Sequence, residues 1–153
     1  MVKTFLILIL FALLPVSDSF KALVIGVYSG DSIVVKLEDK TQLRIRLDGI
    51  DCPEMKQEYG DSAKFATVGL CFNKQIRVEK TGVDSYGRTL AFVYVDDICV
   101  NKELLRLGLA WHYAEYNSDA ELANLEREAR KNKVGLWRQP NPESPGDFRH
   151  KKK

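Results

Sequence analysis

Residues 43–54, LRIRLDGIDCPE, narrow the possible folds more than any other stretch of the chain. Leu43, Ile45 and Leu47 alternate with Arg44, Arg46 and Asp48. A period of two puts the apolar side chains on one side of an extended backbone, the pattern of a half-buried strand. Gly49 interrupts the alternation, and Pro53 has no N–H to give to a ladder. The strand is therefore expected to end near Ile50 and to deliver Asp51 and Glu54 into a tight turn. One guanidinium and two carboxylates then meet where a rigid element joins a loop.

Two readings of that cluster are open. Carboxylate oxygens hold a hard divalent cation, a second carboxylate can take a proton from water, and a guanidinium grips a phosphate through two parallel hydrogen bonds. Together these suit phosphodiester chemistry. The same residues also suit a solvated salt-bridge turn, and this stretch alone does not separate the two.

The rest of the chain supplies the scaffold. Residues 20–27 are apolar and β-branched, and strands at 33–37 and 41–47 follow after short turns. Short strands with tight connections favour an antiparallel meander. Asp31 follows the first turn, so it too stands at a strand entrance. Residues 57–72 switch to a helical period through Tyr59, Ala63, Ala66 and Leu70. Residues 75–80 and 89–95 are two further strands around a turn at 82–87. Asn101 reads as the N-cap of a short helix over 102–107 that Gly108 stops. Ser118 and Glu121 have capping-box spacing for a helix through about Lys131, after which Trp137 is expected to dock onto the body. Five short strands avoid exposed edges by closing on themselves. The expected class is α+β, a five-stranded OB-fold β-barrel with three helices, the first lying between the third and fourth strands. That architecture hosts binders as well as enzymes, so it does not decide function.

Composition sets outer bounds. The 153 residues suffice for one domain with a real core. A net charge of +2 says little about partners, whereas the terminal run 149–153, RHKKK, suits either a polyanion or bare solvent. Lys3, the apolar run at 5–14, Pro15 and the small residues before Phe20 read as a secretory signal peptide, with an uncleaved anchor as the alternative. The expected plan is a signal peptide at 1–19, a folded domain at 20–138 and an extended, Pro-containing basic tail at 139–153. Export to the periplasm or beyond follows, with no stable membrane association after cleavage. Cys52, Cys71 and Cys99 allow at most one internal bridge, with Cys71 and Cys99 the favoured pair and buried free thiols the alternative. No CxxC or His-rich spacing supports structural zinc.

A second motif, residues 84–88 (DSYGR), brings Arg88 to the start of the fifth strand through a turn at Gly87. Alone it reads as a hairpin turn with a solvated arginine. With Asp31, Arg46, Asp51 and Glu54 it makes five polar residues at strand ends or in adjoining loops, where a rigid scaffold carries active sites.

These motifs resemble the staphylococcal nuclease-like, or thermonuclease, family. SGDS at 29–32, RLDGIDCPE at 46–54, DSYGR at 84–88, NKELLRLGLAW at 101–111 and the closing AR…GLW at 129–137 stand in that family's order and spacing. Pro140, Pro142, Pro145 and Arg149 look like its bacterial exported branch. The resemblance implies a monomeric, calcium-dependent nuclease that cuts DNA and RNA with little sequence preference and leaves 3′-phosphate ends. It implies that Asp31, Asp51 and the main-chain carbonyl of Cys52 hold Ca2+, that Glu54 acts as general base, and that Arg46 and Arg88 hold the scissile phosphate. Tyr116, Tyr113 and Tyr86 are the nucleotide-binding candidates. Two positions depart from the family pattern: Ser85 replaces a common lysine, and Ala114 stands where the first of two tyrosines is common. Asp48 is at most a helper, and Trp111, His112 and Tyr113 also read as strand packing. A nucleic-acid-binding module without activity, and a secreted interaction protein using the barrel surface, are the competing readings.

Overall fold

Strand β1 (Ser19–Ser29) is the spine of the barrel because it pairs on both edges. Two register shifts, between Val24 and Gly26 and between Val27 and Ser29, bend it enough to serve two partners. The structure, a computed structural model, describes residues 18–151. Apart from Asp18 and Ser19, the expected signal peptide therefore lies outside the described residues.

Antiparallel pairing continues from β1 to β2 (Ser32–Lys36) and β3 (Gln42–Leu47). After the short strand β4 (Ile50–Asp51) and helix α1 (Gly60–Cys71), the chain returns as β5 (Gln75–Val83) on the other edge of β1 and then as β6 (Thr89–Val95). Parallel pairing of β3 with β6, with Arg46 opposite Leu90, closes the five-stranded barrel. Strand β7 (Ile98–Cys99) folds back on β6 and leads into helix α2 (Val100–Arg106). Strand β8 (Trp111–His112) then pairs with β4, and helix α3 (Ala120–Lys131) packs on α2. Ile33, Ile45, Leu47 and Val93 fill the barrel, and Leu104, Leu105 and Leu122 extend that core under the helices.

The α+β barrel matches the expected class, but four α-helices rather than three lie among the described residues. The fourth, α4 (Pro145–His150), lies in the stretch expected to be an extended tail. Ser144 caps it by accepting from the Asp147 amide, and Pro145 fills the first turn, where its missing N–H costs nothing. Three prolines hid that cap signal.

Helix starts also differ from the sequence reading. Helix α1 begins at Gly60 rather than 57 because residues 54–57 form a turn of their own, with the Gln57 amide donating to the Glu54 carbonyl at 2.8 Å. A Cβ on Gly60 would stand 2.0 Å from that same carbonyl, so only glycine fits there. Asp119, not Ser118, caps α3, accepting from the Glu121 amide at 2.7 Å.

Asn101 is not a cap. It lies inside α2, fully buried, and its side chain replaces missing ladder bonds. Its Oδ1 accepts from the Val93 amide at 3.0 Å, while its Nδ2 donates to the carbonyls of Asp48 at 2.9 Å and Ala91 at 3.1 Å. It thereby ties β6 to the turn that follows β3. Replacing Asn101 with alanine is expected to strand the Val93 amide in the core, whereas the Ala91 carbonyl keeps the Asp48 amide, and to cost about 1–3 kcal/mol for the stranded group, measurable as a lower midpoint in chemical denaturation.

Cys52, Cys71 and Cys99 are all buried free thiols, so the favoured Cys71–Cys99 bridge is not formed. Burial pushes the Cys71 thiol up to about 12 and raises Cys52 and Cys99 as well. Protonated, enclosed thiols are inert. All three are expected to react with a thiol reagent at pH 8 only after denaturation, and a reducing agent is expected to leave the melting temperature unchanged.

Candidate active site

Arg46 is the centre of the site. It leaves β3 with its side chain only 12% exposed. Nη1 donates to the carbonyls of Leu47 at 2.8 Å and Ile50 at 2.7 Å, so the turn after β3 wraps around the guanidinium. Nη2 donates to Asp51 Oδ1 at 2.9 Å and stands 3.4 Å from Asp31 Oδ2. The two acids come from different elements, the β1–β2 turn and β4, and share one nitrogen.

Each acid is held by its own element. Asp31 sits between β1 and β2; its carbonyl accepts from the Leu47 amide at 2.9 Å, and its carboxylate accepts from Ser29 Oγ and the Cys52 amide. Gly30 allows this approach, since a Cβ there would lie 2.8 Å from Cys52 Sγ and 2.7 Å from Ala63 Cβ. Asp51 is not in a free turn, as expected, but paired in the β4–β8 ladder opposite Trp111. Burial pushes the Asp51 carboxyl above its usual value, against the pull of Arg149 and Arg46. Burial also opposes charge on Arg46, yet Asp31 and Asp51 outweigh it and hold the guanidinium above its usual value.

Glu54 stands in the turn before α1 and reaches the rim of the same cluster. Its Oε1 accepts from Arg149 Nη1 at 2.8 Å. Arg149, on α4, also donates from Nη2 to Asp51 Oδ2 at 3.0 Å and from Nη1 to Asp51 Oδ1 at 3.3 Å. The sequence placed Arg149 only in a basic tail. Nothing local signals its target, because the partners lie almost a hundred residues away.

The remaining candidates spread around this cluster. Cys52 offers its amide to Asp31, while its side chain is buried against the barrel. Arg88 precedes β6 and pairs with Asp84, Nε to Oδ2 at 2.7 Å, rather than with the carboxylates. Its terminal nitrogens have no protein partner among the described residues. Tyr86, at the hairpin tip, is 84% exposed, with its ring 5.6 Å from the Arg88 guanidinium. Tyr113 and Tyr116 meet at a tilt, ring centroids 4.6 Å apart, along an open cleft of about 530 Å³ that also reaches Asp51 and Arg149. Burial and the nearby Asp51 carboxylate push the Tyr113 phenol up. Asp48 does not help the cluster, because its carboxylate accepts from Thr81 Oγ1 and the Gly49 amide. His112 packs as a strand residue, its amide held by Glu126.

The donor chemistry suits a hard cation. Asp31 and Asp51 supply oxygen only, and Ser32 Oγ, opposite Arg46 in the ladder, is buried without a hydrogen-bond partner among the described residues. No three His, Cys, Asp or Glu side chains form a metal cage among the described residues. Arg46 Nη2 stands between the two acids, so a cation held by them would displace that nitrogen and draw its other ligands from backbone and water oxygens, as hard cations often do.

Barrel, buried acid pair and shared guanidinium define a class: an OB-type barrel with an acid–arginine centre at the strand ends. The model of the staphylococcal nuclease homologue family matches residues 44–139. An uncharacterised endonuclease of Escherichia coli O157:H7 is 41% identical over 84% of this chain and 84% of its own. A micrococcal nuclease of Shigella flexneri is 33% identical over 95% of this chain and 89% of its own. A staphylococcal-like nuclease of Arabidopsis thaliana is 42% identical over 73% of this chain, which spans only 35% of that plant protein. The chain belongs to the staphylococcal nuclease homologue family.

The Arg46 contacts make a stability prediction. Arg46→Gln leaves Asp31 and Asp51 facing each other without their shared cation, which is expected to cost about 3–5 kcal/mol. Asp51 is already raised by burial, and losing Arg46 raises it further. A carboxyl raised in the folded state favours folding at low pH and loses that contribution as pH rises through its folded value. The deficit of the variant in urea denaturation is therefore expected to be larger at pH 7 than at pH 4.

Proposed function

We propose that this chain is an exported, monomeric, calcium-dependent nuclease that hydrolyses phosphodiester bonds of DNA and RNA with little sequence preference and leaves 3′-phosphate ends. The observation that carries the reading is Arg46 Nη2 shared by Asp31 and Asp51, beside a cleft large enough for a nucleotide. The names of the relatives add to it.

Asp31, Asp51 and the Cys52 carbonyl are the groups that would hold calcium. When bound, it would offset the charge that develops on the phosphate. Arg46 is fixed beside the acids by two carbonyls and two carboxylates, and gripping a phosphate would require Nη2 to turn from those carboxylates toward the ester. Glu54 is half exposed, open to water, and can take the proton from an attacking water molecule. Arg88 keeps Nε on Asp84 and has two terminal nitrogens to offer a phosphate in a paired contact. Tyr113 and Tyr116 offer ring faces on which a base can stack, and Tyr86 offers another at the hairpin tip.

A binding module without activity is the competing reading. A polyanion binder gains nothing from buried carboxylates beside the phosphate path, since affinity for a phosphate backbone comes from cations. The acid pair therefore favours hydrolysis.

Purified protein is expected to digest single-stranded DNA with calcium and to stop when a chelator is added. Arg88→Lys is expected to lower turnover about 100- to 1,000-fold while its melting temperature stays near that of the parent. Digestion that survives chelation would remove the metal from the reading, and equal losses of turnover and stability would make Arg88 structural.

A further inference from the structure

We infer that Arg149 is a positioning residue of the active site, and that α4 completes a centre which the family-matched residues 44–139 leave open. The inference rests on the nuclease reading for the role of Glu54. Glu54 is the proposed base, and its side chain leaves a turn and is half exposed. Among the described residues its carboxylate has one protein partner, Arg149. The same guanidinium spans Asp51, whose backbone is locked in the β4–β8 ladder. Arg149 therefore ties the free acid to the fixed one, and two-point contact sets orientation as well as distance.

The tail is built to deliver that contact. Ser144 and Pro145 start α4, so Arg149 comes one helical turn further along on a short rigid element. Gln57 anchors the approach: its Nε2 donates to the Glu143 carbonyl at 2.8 Å, while its Oε1 accepts from the Glu54 amide at 3.0 Å. One side chain thus clamps the turn that carries Glu54 to the segment that carries Arg149. Lys151 is a contrast within the same tail. It pairs with Glu143 and does not touch the acids. A tail that served only as a cationic patch would have no need to commit Arg149 to carboxylates, where its charge is taken up before any phosphate arrives.

The test compares Arg149→Gln, Arg149→Lys and Lys151→Gln in the full chain. Arg149→Gln is expected to lower kcat on single-stranded DNA about 10- to 100-fold, the range for removing a group that orients an active-site ligand, with KM within about threefold. Arg149→Lys is expected to restore only a small part, because an ammonium cannot bridge two carboxylates in one plane. Lys151→Gln is expected to leave kcat and KM within about twofold. An Arg149→Gln variant with raised KM and normal kcat would make Arg149 a nucleic-acid contact, and unchanged or raised kcat would make it a spectator or a plug; each overturns the inference while leaving the nuclease reading intact. Amide exchange over residues 52–57 is the readout that does not need turnover. It is expected to quicken in Arg149→Gln and not in Lys151→Gln. If the parent protein cuts nothing, the nuclease reading falls, and unchanged exchange in that segment overturns the positioning role on its own.

Discussion

A buried guanidinium shared by two buried acids is the constraint on which this molecule turns. Arg46, Asp31 and Asp51 are each withdrawn from water, and each alone would be costly there. Together they are tolerable because Arg46 spends its donors on two carboxylates and two carbonyls. The arrangement ties together the β1–β2 turn, the end of β3 and the β4 strand. A cluster of this kind adds little net stability compared with apolar packing. What it gives is a fixed field in a place where water is scarce.

The barrel exists, in that sense, to bring the β1–β2 turn and the β4 strand to one point. The bends in β1 let it pair with β2 and β5, and parallel pairing of β3 with β6 completes the ring. Asn101 fastens the turn after β3 to β6 from inside α2. On the other side, Asp51 is paired with Trp111, whose ring meets Trp137 edge-on at 4.5 Å, with the Arg130 guanidinium 3.8 Å from the Trp137 ring centroid. The acid is thus held between the main core and a second, smaller core at the C-terminal end. The close crossing of Gly108 and Gly135 seals that junction, since a Cβ on either would stand within 2.3 Å of a backbone oxygen.

Much of this was legible in the chain. The alternation of residues 43–47 marks β3, and the helical period after Pro53 marks α1 to within three residues. The turn residues around Asp31 and Gly87 lie where the structure has turns. Arg46, Asp31 and Asp51 could be singled out because strand ends are where rigid backbone meets free side chains. Errors fell where a local signal had a second meaning. Asn101 has a cap's chemistry but uses it across the core, and the prolines after Gln139 looked like an unstructured tail while one of them starts a helix. The favoured disulfide is not formed, and all three cysteines are buried as free thiols.

The sequence by itself determined the kinds of element and the chemical types at their ends, because period, glycine and proline act over a few residues and need no distant partner. Only the tertiary structure decided which of those ends meet. Arg46 could have faced solvent, Arg88 turned out to hold Asp84, and Arg149 reaches back 98 and 95 residues to Asp51 and Glu54. Those pairings are set by barrel closure and by the docking of the last helix. They are global packing outcomes, and a local pattern carries no record of them.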